Sequence, residues 1–279
     1  MNMSEYQQVK GFTYLEYCDY LQAKYGIGRA DYMTKSYNPN PKCKRTKDGL
    51  VAHHKKEDTM VMLATKEVAQ LCPFEWQSKE NIVYCDYLEH LLLHVLICKY
   101  PANNKPDFVR AGMGGVVNFI APELNDLYSG WTTNQAWRKN CHNRVLEDKD
   151  VYLAILKQFI DVEKSNPNFE IDMLCRSYNQ QYGLWGDEKN KELYAEIKEL
   201  NKTQRDALKK FEGTLQGLPR QRQERHQEDP GGLHPQGHRR RSELCTARHG
   251  RCRCQRWACG RRHRDGVRPA QRGIPARRL

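Results

Sequence analysis

Four histidines and one asparagine between residues 53 and 94 have the types and spacing needed to bind a metal ion and activate water. His90 and His94 are four residues apart. On a helix both imidazoles would project from one face, one turn apart, and could chelate a single ion. His53 and His54 are adjacent, so on a strand their side chains point to opposite faces. One ring could then bind a metal while the other reaches a water molecule.

Asn81 lies nine residues before His90 and is the fifth polar position of this set. Its side chain can bridge a turn, or it can hold a neighbouring histidine by accepting the imidazole N–H. A single histidine on an apolar helix face is more often a hydrogen-bonded core residue than a metal ligand. The combination of all five positions in this order is therefore more informative than either histidine pair alone.

The residues around these positions predict the elements that would carry them. The apolar run 50–52 favours a strand leading into His53, and the β-branched and aromatic run 81–85 favours a second strand. Asp86 is suited to be the N-cap of a helix over 87–98, which Pro101 would end.

The rest of the chain reads as mainly helical, which places the protein in the α+β class. We expect helix over 12–35, interrupted by the glycines at 26 and 28, then a polar loop over 36–49 and a short helix over 65–71. Residues 117–160 and 187–213 are also predicted to be mostly helical. The predicted organisation is an N-terminal helix and loop (1–49), a small β-containing unit (50–98), a helical region (99–216) and a tail (217–279).

The order His53-His54, Asn81, His90, His94 resembles the HNH, or ββα-metal, endonuclease family, with a spacing similar to that of the colicin-type DNases. The resemblance covers residues 50–98 only. It implies that His53, His90 and His94 ligate one divalent ion (Mg²⁺, Mn²⁺ or Zn²⁺), that His54 is the general base, and that Asn81 orients His54. It also implies hydrolysis of phosphodiester bonds in DNA, although the residues do not distinguish DNA from RNA.

Two departures from the family pattern matter. The gap between His54 and Asn81 is longer than in compact HNH motifs, and the C-x-x-C pairs that support many HNH domains are absent. The alternative is a non-catalytic module in which zinc on the same three histidines stabilises a small fold that binds nucleic acid or protein. That alternative needs a fourth ligand and gives no role to His54.

Cations near the first predicted strand could contact a nucleic-acid backbone. They are Arg45, Lys47, Lys55 and Lys56, with Lys42 and Lys44 on the same loop. A solvated surface loop would explain the same cluster. Residues 1–216 hold 29 basic and 29 acidic residues, so nucleic-acid binding by this part of the chain would have to use such a local patch.

The net charge of +12 belongs entirely to residues 217–279, which contain 17 Arg, five acidic residues and no Lys. This tail also lacks Asn, Tyr, Phe and Met, and we expect it to be disordered. A shifted reading frame, a basic arm for nucleic acid, and a metal knuckle built on Cys245, Cys252, Cys254 and Cys259 are competing explanations, of which the first is favoured.

Composition also suggests where the protein works. No apolar run approaches the length of a membrane span, and the N-terminus lacks a signal-peptide pattern. The seven cysteines before residue 217 are scattered singly, which is typical of reduced, buried thiols. We therefore expect a cytoplasmic protein with no membrane partner.

Overall fold

Helices and a single small sheet make up the computed structural model, which describes residues 1–201. The helices are α1 (Met3–Val9), α2 (Tyr14–Tyr25), α3 (Lys66–Ala69), α4 (Tyr87–Lys99), α5 (Met113–Gly115), α6 (Ala121–Tyr128), α7 (Ala136–Asn143) and α8 (Lys149–Glu163), and residues 191–201 are helical too. One π-helical turn, Val116–Ile120, joins α5 to α6. The fold is mixed and mostly helical, as the α+β prediction requires.

The two predicted strands form and pair with each other. β1 (Val51–His54) is antiparallel to β2 (Ile82–Cys85), with His53 opposite Val83 and His54 opposite Ile82. All four β2 side chains are buried, which explains why this strand reads as a continuous apolar run and not as an alternating one.

Helix α4 follows β2 directly and begins at the predicted residue. The Asp86 carboxylate accepts from the Glu89 backbone N–H, and the Glu89 carboxylate accepts from the Asp86 backbone N–H, so the two residues form a capping box. Because α4 is buried on nearly all sides, the imidazoles that it carries are held against packed surfaces.

The hydrophobic core joins the three predicted segments of the body. α4 packs against α8, α2 and the π-helical turn, and α2 also packs against β2. Tyr17, Leu92 and Phe159, which are fully buried, come from the three different segments. The β-containing unit therefore takes its support from helices on both sides of it in sequence.

The prediction of helix over 12–35 was correct only as far as Tyr25. Gly26 adopts a positive φ of 82° and ends α2, and the following residues form isolated bridges, Ile27 with Val83 and Met33 with Pro39. Ile27 thus pairs with a residue of β2, and this tertiary pairing overrides the local helical pattern.

No helix in the described residues is long and apolar enough to cross a membrane. The predictions for the tail, namely disorder and a cysteine knuckle, lie outside the described residues. The last part of the predicted helix over 187–213 also lies outside them.

Candidate metal centre

The strand β1 and the helix α4 bring three of the predicted histidines together with a fourth residue that the sequence did not indicate. His53, Glu57, His90 and His94 each offer one ligand atom, and these atoms all lie within 4.8 Å of one another. The ring centroids of the three histidines are 5.0 to 5.2 Å apart. We call these four residues the histidine–glutamate cluster.

His53 is oriented by Tyr14 of α2. The Tyr14 hydroxyl lies 2.9 Å from His53 Nε2 and also donates to the backbone oxygen of His54 at 3.1 Å. The hydroxyl thus contacts both the ring and the backbone of β1 and fixes the orientation of the His53 imidazole. The other ring nitrogen, Nδ1, lies 3.1 Å from a carboxylate oxygen of Glu57.

His94 is fixed by close packing. Its Nε2 lies 3.8 Å from the same Glu57 oxygen, and its Nδ1 is buried against the backbone of α5. A Cβ added to Gly115 would lie 2.3 Å from the imidazole, so only glycine leaves room for this ring. Within the described residues neither His94 Nδ1 nor His53 Nδ1 has a hydrogen-bond partner.

Burial sets the protonation of the cluster. Burial and the charge of His53 lower the pKa of His94 to about 4, against the opposing effect of Glu57. Burial, His94 and His53 hold the pKa of His90 well below its usual value. Burial would raise the pKa of Glu57, but contact with His53 and the charges of His94 and His54 hold it far below its usual range. At neutral pH His90 and His94 are therefore neutral and Glu57 is ionised, which are the ligand forms of these groups.

The cluster fits a divalent cation. Three imidazoles and one carboxylate are a donor set used for Zn²⁺ and for other first-row transition ions. His53 Nδ1 and a Glu57 carboxylate oxygen lie 3.1 Å apart, and Nδ1 has no hydrogen-bond partner in the described residues, so both atoms are available to a cation. Glu57 adds a fourth donor and a negative charge to the three neutral ligands that the sequence predicted.

Little in the sequence could have identified Glu57. It lies four residues after His53, but in a turn closed by hydrogen bonds from the Glu57 N–H to the His54 carbonyl and from the Thr59 N–H to the Lys56 carbonyl. The adjacent Asp58 has the same chemistry, and only the geometry of the turn decides which carboxylate meets the histidines.

His54 lies apart from the cluster, as its opposite direction on the strand predicts. It is buried, its ring centroid is 4.3 Å from that of Tyr32, and its Nε2 lies 3.1 Å from Gln77 Oε1. Since the Gln77 amide donates to the Leu63 carbonyl, its oxygen accepts the Nε2–H of His54. His54 Nδ1 is thus the nitrogen able to accept a proton, and burial lowers the pKa of the ring, which keeps it neutral at pH 7.

Asn81 does not make the contact to His54 that the family resemblance implied. Its side-chain amide donates to the Glu75 carbonyl at 2.8 Å and to the Ser78 hydroxyl at 3.3 Å. It bridges the turn before β2, which is the other role open to an asparagine at this position. That turn carries Gln77, so Asn81 supports the residue that holds His54.

The four cationic side chains that were predicted to contact nucleic acid lie in different environments. Lys55 pairs with Asp19, and Arg45 pairs with Asp48 while also donating to the Tyr25 carbonyl. Lys47 is exposed, and Lys56 is partly exposed. Lys55 and Arg45 thus already make ion pairs within the protein.

His90 connects the cluster to a cavity of about 470 Å³. The cavity is also lined by Glu123, which accepts hydrogen bonds from Arg138 and, at 2.6 Å, from His142 Nε2. Of the four residues of the cluster, His90 is the one that borders this cavity. Comparison of the chain with protein-family models, with curated proteins and with solved structures found no match.

Proposed function

We propose that the chain is a metal-dependent endonuclease of the HNH type that hydrolyses phosphodiester bonds of DNA. The observation that carries this proposal is the convergence of His53 from the first strand with His90 and His94 from the helix after the second strand. The first strand and the helix supply these ligands, and β2 lies between them in sequence, in the order of a ββα-metal unit. The cavity that His90 borders also supports a reactive site.

In this proposal the two adjacent histidines of β1 have different tasks. His53, His90, His94 and Glu57 hold the ion, which when bound supplies polarisation of the scissile phosphate and stabilisation of the departing 3′ oxygen. His54 Nδ1 takes the proton of the water whose oxygen attacks phosphorus, while Gln77 holds the opposite nitrogen of the ring. Gln77 is thus a positioning residue.

Plasmid cleavage tests the proposal directly. Supercoiled DNA is incubated with the full chain and Mg²⁺, Mn²⁺ or Zn²⁺, and the nicked and linear products are quantified. We expect cutting with at least one ion, and a loss of roughly 100-fold or more in His54→Ala, the scale of a general base. His142→Gln, a buried histidine outside the cluster, is the matched control, and circular dichroism verifies that each variant is folded. Undiminished cutting by His54→Ala would refute the assignment of the base.

One observation favours a second candidate, a zinc-stabilised binding module without catalysis. Glu57 supplies the fourth protein donor that a closed structural zinc site requires. Removing the ion with a chelator distinguishes the two candidates. A structural ion leaves no cleavage to lose, and its removal lowers the free energy of unfolding by about 2.7 kcal/mol at an ion concentration 100 times Kd. Unfolding on chelation, with no cutting by any ion, would favour the binding module.

A further inference from the structure

Five aromatic side chains line the cavity beside His90, and three of them are exposed to solvent. Phe119 is 63% exposed, Trp137 47% and Tyr182 61%, and Tyr178 and Tyr87 complete the aromatic wall. Large exposed rings gathered around one concave site are unusual on a protein surface unless they bind something. The volume of about 470 Å³ is within the range of small-molecule sites, roughly 300–1,000 Å³.

Phe119 is placed in this wall by an irregular stretch of helix. It belongs to the π-helical turn between α5 and α6, a form of helix that is rare and is frequent at functional sites. Neighbouring residues of the same turn, Val116 and Val117, are buried in the core, whereas Phe119 stays exposed. The turn thus presents one ring to the cavity while its other side is anchored.

The same wall contains a polar atom without a partner. Asn179 lines the cavity and is 1% exposed, and both its backbone N–H and its side-chain amide donate to one carboxylate oxygen of Asp126, at 2.8 and 2.6 Å. Its Oδ1 has no hydrogen-bond partner within the described residues. A buried acceptor of this kind is costly unless a ligand donor satisfies it.

A second cavity, of about 390 Å³, adjoins the first, since Val51 and Trp137 line both. Its lining includes Lys44 and Arg45. Lys44 is exposed, and within the part of the chain that the structure describes it has no ion-pair partner. The two cavities together combine an aromatic section next to the metal centre with a cationic section beyond Trp137.

We propose that these cavities bind one unpaired strand of DNA, with a base stacked among Phe119, Trp137 and Tyr182 and the adjoining phosphate at Lys44. Grooves that bind single strands combine cations along the backbone with aromatic rings on which bases stack. This inference rests on the proposed nuclease function, because the substrate would reach the ion past His90, which lines the cavity and belongs to the cluster.

Binding without cleavage tests the inference. Fluorescence anisotropy of a labelled single-stranded oligonucleotide and of its blunt duplex is measured with the full chain in a chelator, so that no cutting is needed. We expect the single strand to bind more tightly, and Phe119→Leu and Trp137→Leu each to weaken its binding roughly 5- to 150-fold, the scale of one stacked base. Phe108→Leu, at an exposed phenylalanine that does not line the cavity, should leave binding unchanged.

The outcomes separate the two proposals. The basic residues after 216 are present in every variant, so binding through them cannot produce a difference between Phe119→Leu and Phe108→Leu. Equal binding of both strand forms, or an equal effect of all three substitutions, would overturn the inference even if the protein cuts DNA. If binding depends on Phe119 and Trp137 but the protein cuts DNA with none of the ions, the cavity is supported as the single-strand site and the nuclease proposal is rejected.

Discussion

Two buried groups of histidine and glutamate contribute to the wall of one cavity, yet they differ in how their polar atoms are satisfied. In the group of Glu123, Arg138 and His142, the carboxylate accepts from both basic side chains. In the histidine–glutamate cluster, the Nδ1 atom of His53, 3.1 Å from the Glu57 carboxylate, has no hydrogen-bond partner in the described residues. The first group is complete without a ligand, whereas a cation between His53 Nδ1 and Glu57 would complete the second.

This comparison shows why residue type alone does not identify a metal site. Glu123 and His142 are as buried and as chemically capable as Glu57 and His94. Arg138 occupies the place that a cation would take, with its guanidinium also 4.2 Å from the Trp131 ring centroid. A permanent side-chain cation thus makes one group structural, and its absence leaves the other group available for an ion.

Replacing Arg138, the cationic side chain of the Glu123 group, should have the largest effect on the free energy of unfolding. Arg138→Met leaves the Glu123 carboxylate, only 12% exposed, with His142 alone, and breaking such a pair costs about 3–5 kcal/mol. Glu57→Gln in chelator at pH 7 should cost less, about 1 kcal/mol, because the His94 imidazole that faces this carboxylate is neutral at that pH. Urea unfolding of both variants measures the difference, and equal costs would contradict the distinction between the two groups.

Lowering the pH should reduce the free energy of unfolding of the metal-free protein. The loss from His94 alone should be somewhat smaller than the effect of Arg138→Met. The unfolded state protonates His94 below about pH 6.5, whereas the folded state keeps it neutral down to about pH 4. The unfolded state therefore binds more protons in this window, and stability falls as the pH is lowered, by about 3 kcal/mol for this residue. His90 and His54, whose pKa values are also lowered by burial, add to the loss.

The measurement compares urea unfolding at pH 7 and pH 4 in chelator for the natural chain and for His94→Gln. Carboxylates elsewhere contribute equally to both proteins, so the difference between the two pH dependences isolates His94. An identical pH dependence would mean that the folded chain does not keep this imidazole neutral.

The elements that carry the site were predictable because their signals are local. Apolar β-branched residues mark β2, the capping box at Asp86 marks the start of α4, and the four-residue spacing places two imidazoles on one helix face. The order of two strands and a helix followed from these patterns without knowledge of the tertiary contacts.

The groups that orient the site were not predictable, because each comes from a distant part of the chain. Tyr14 is 39 residues before His53, and Gln77 is 23 residues after His54. The role given to Asn81, accepting the His54 N–H, is filled by Gln77, since the turn that Asn81 closes brings the glutamine amide to the ring. Hydrogen-bond partners at such separations depend on packing, which no local pattern encodes.

The glycines of α5 offer the smallest but most selective test of the comparison. A methyl group on Gly115 would lie 2.3 Å from the His94 ring, whereas on Gly114 its nearest neighbour would be the Asn118 amide at 3.8 Å. Gly115→Ala should therefore displace His94, lower the free energy of unfolding by about 1–3 kcal/mol, and weaken Zn²⁺ binding roughly 10- to 100-fold. Gly114→Ala, in the same short helix, should bind the ion normally and be stabilised by up to about 1 kcal/mol. Isothermal titration with Zn²⁺ gives both affinities, and equal binding by the two variants would show that the position of His94 does not matter to the ion.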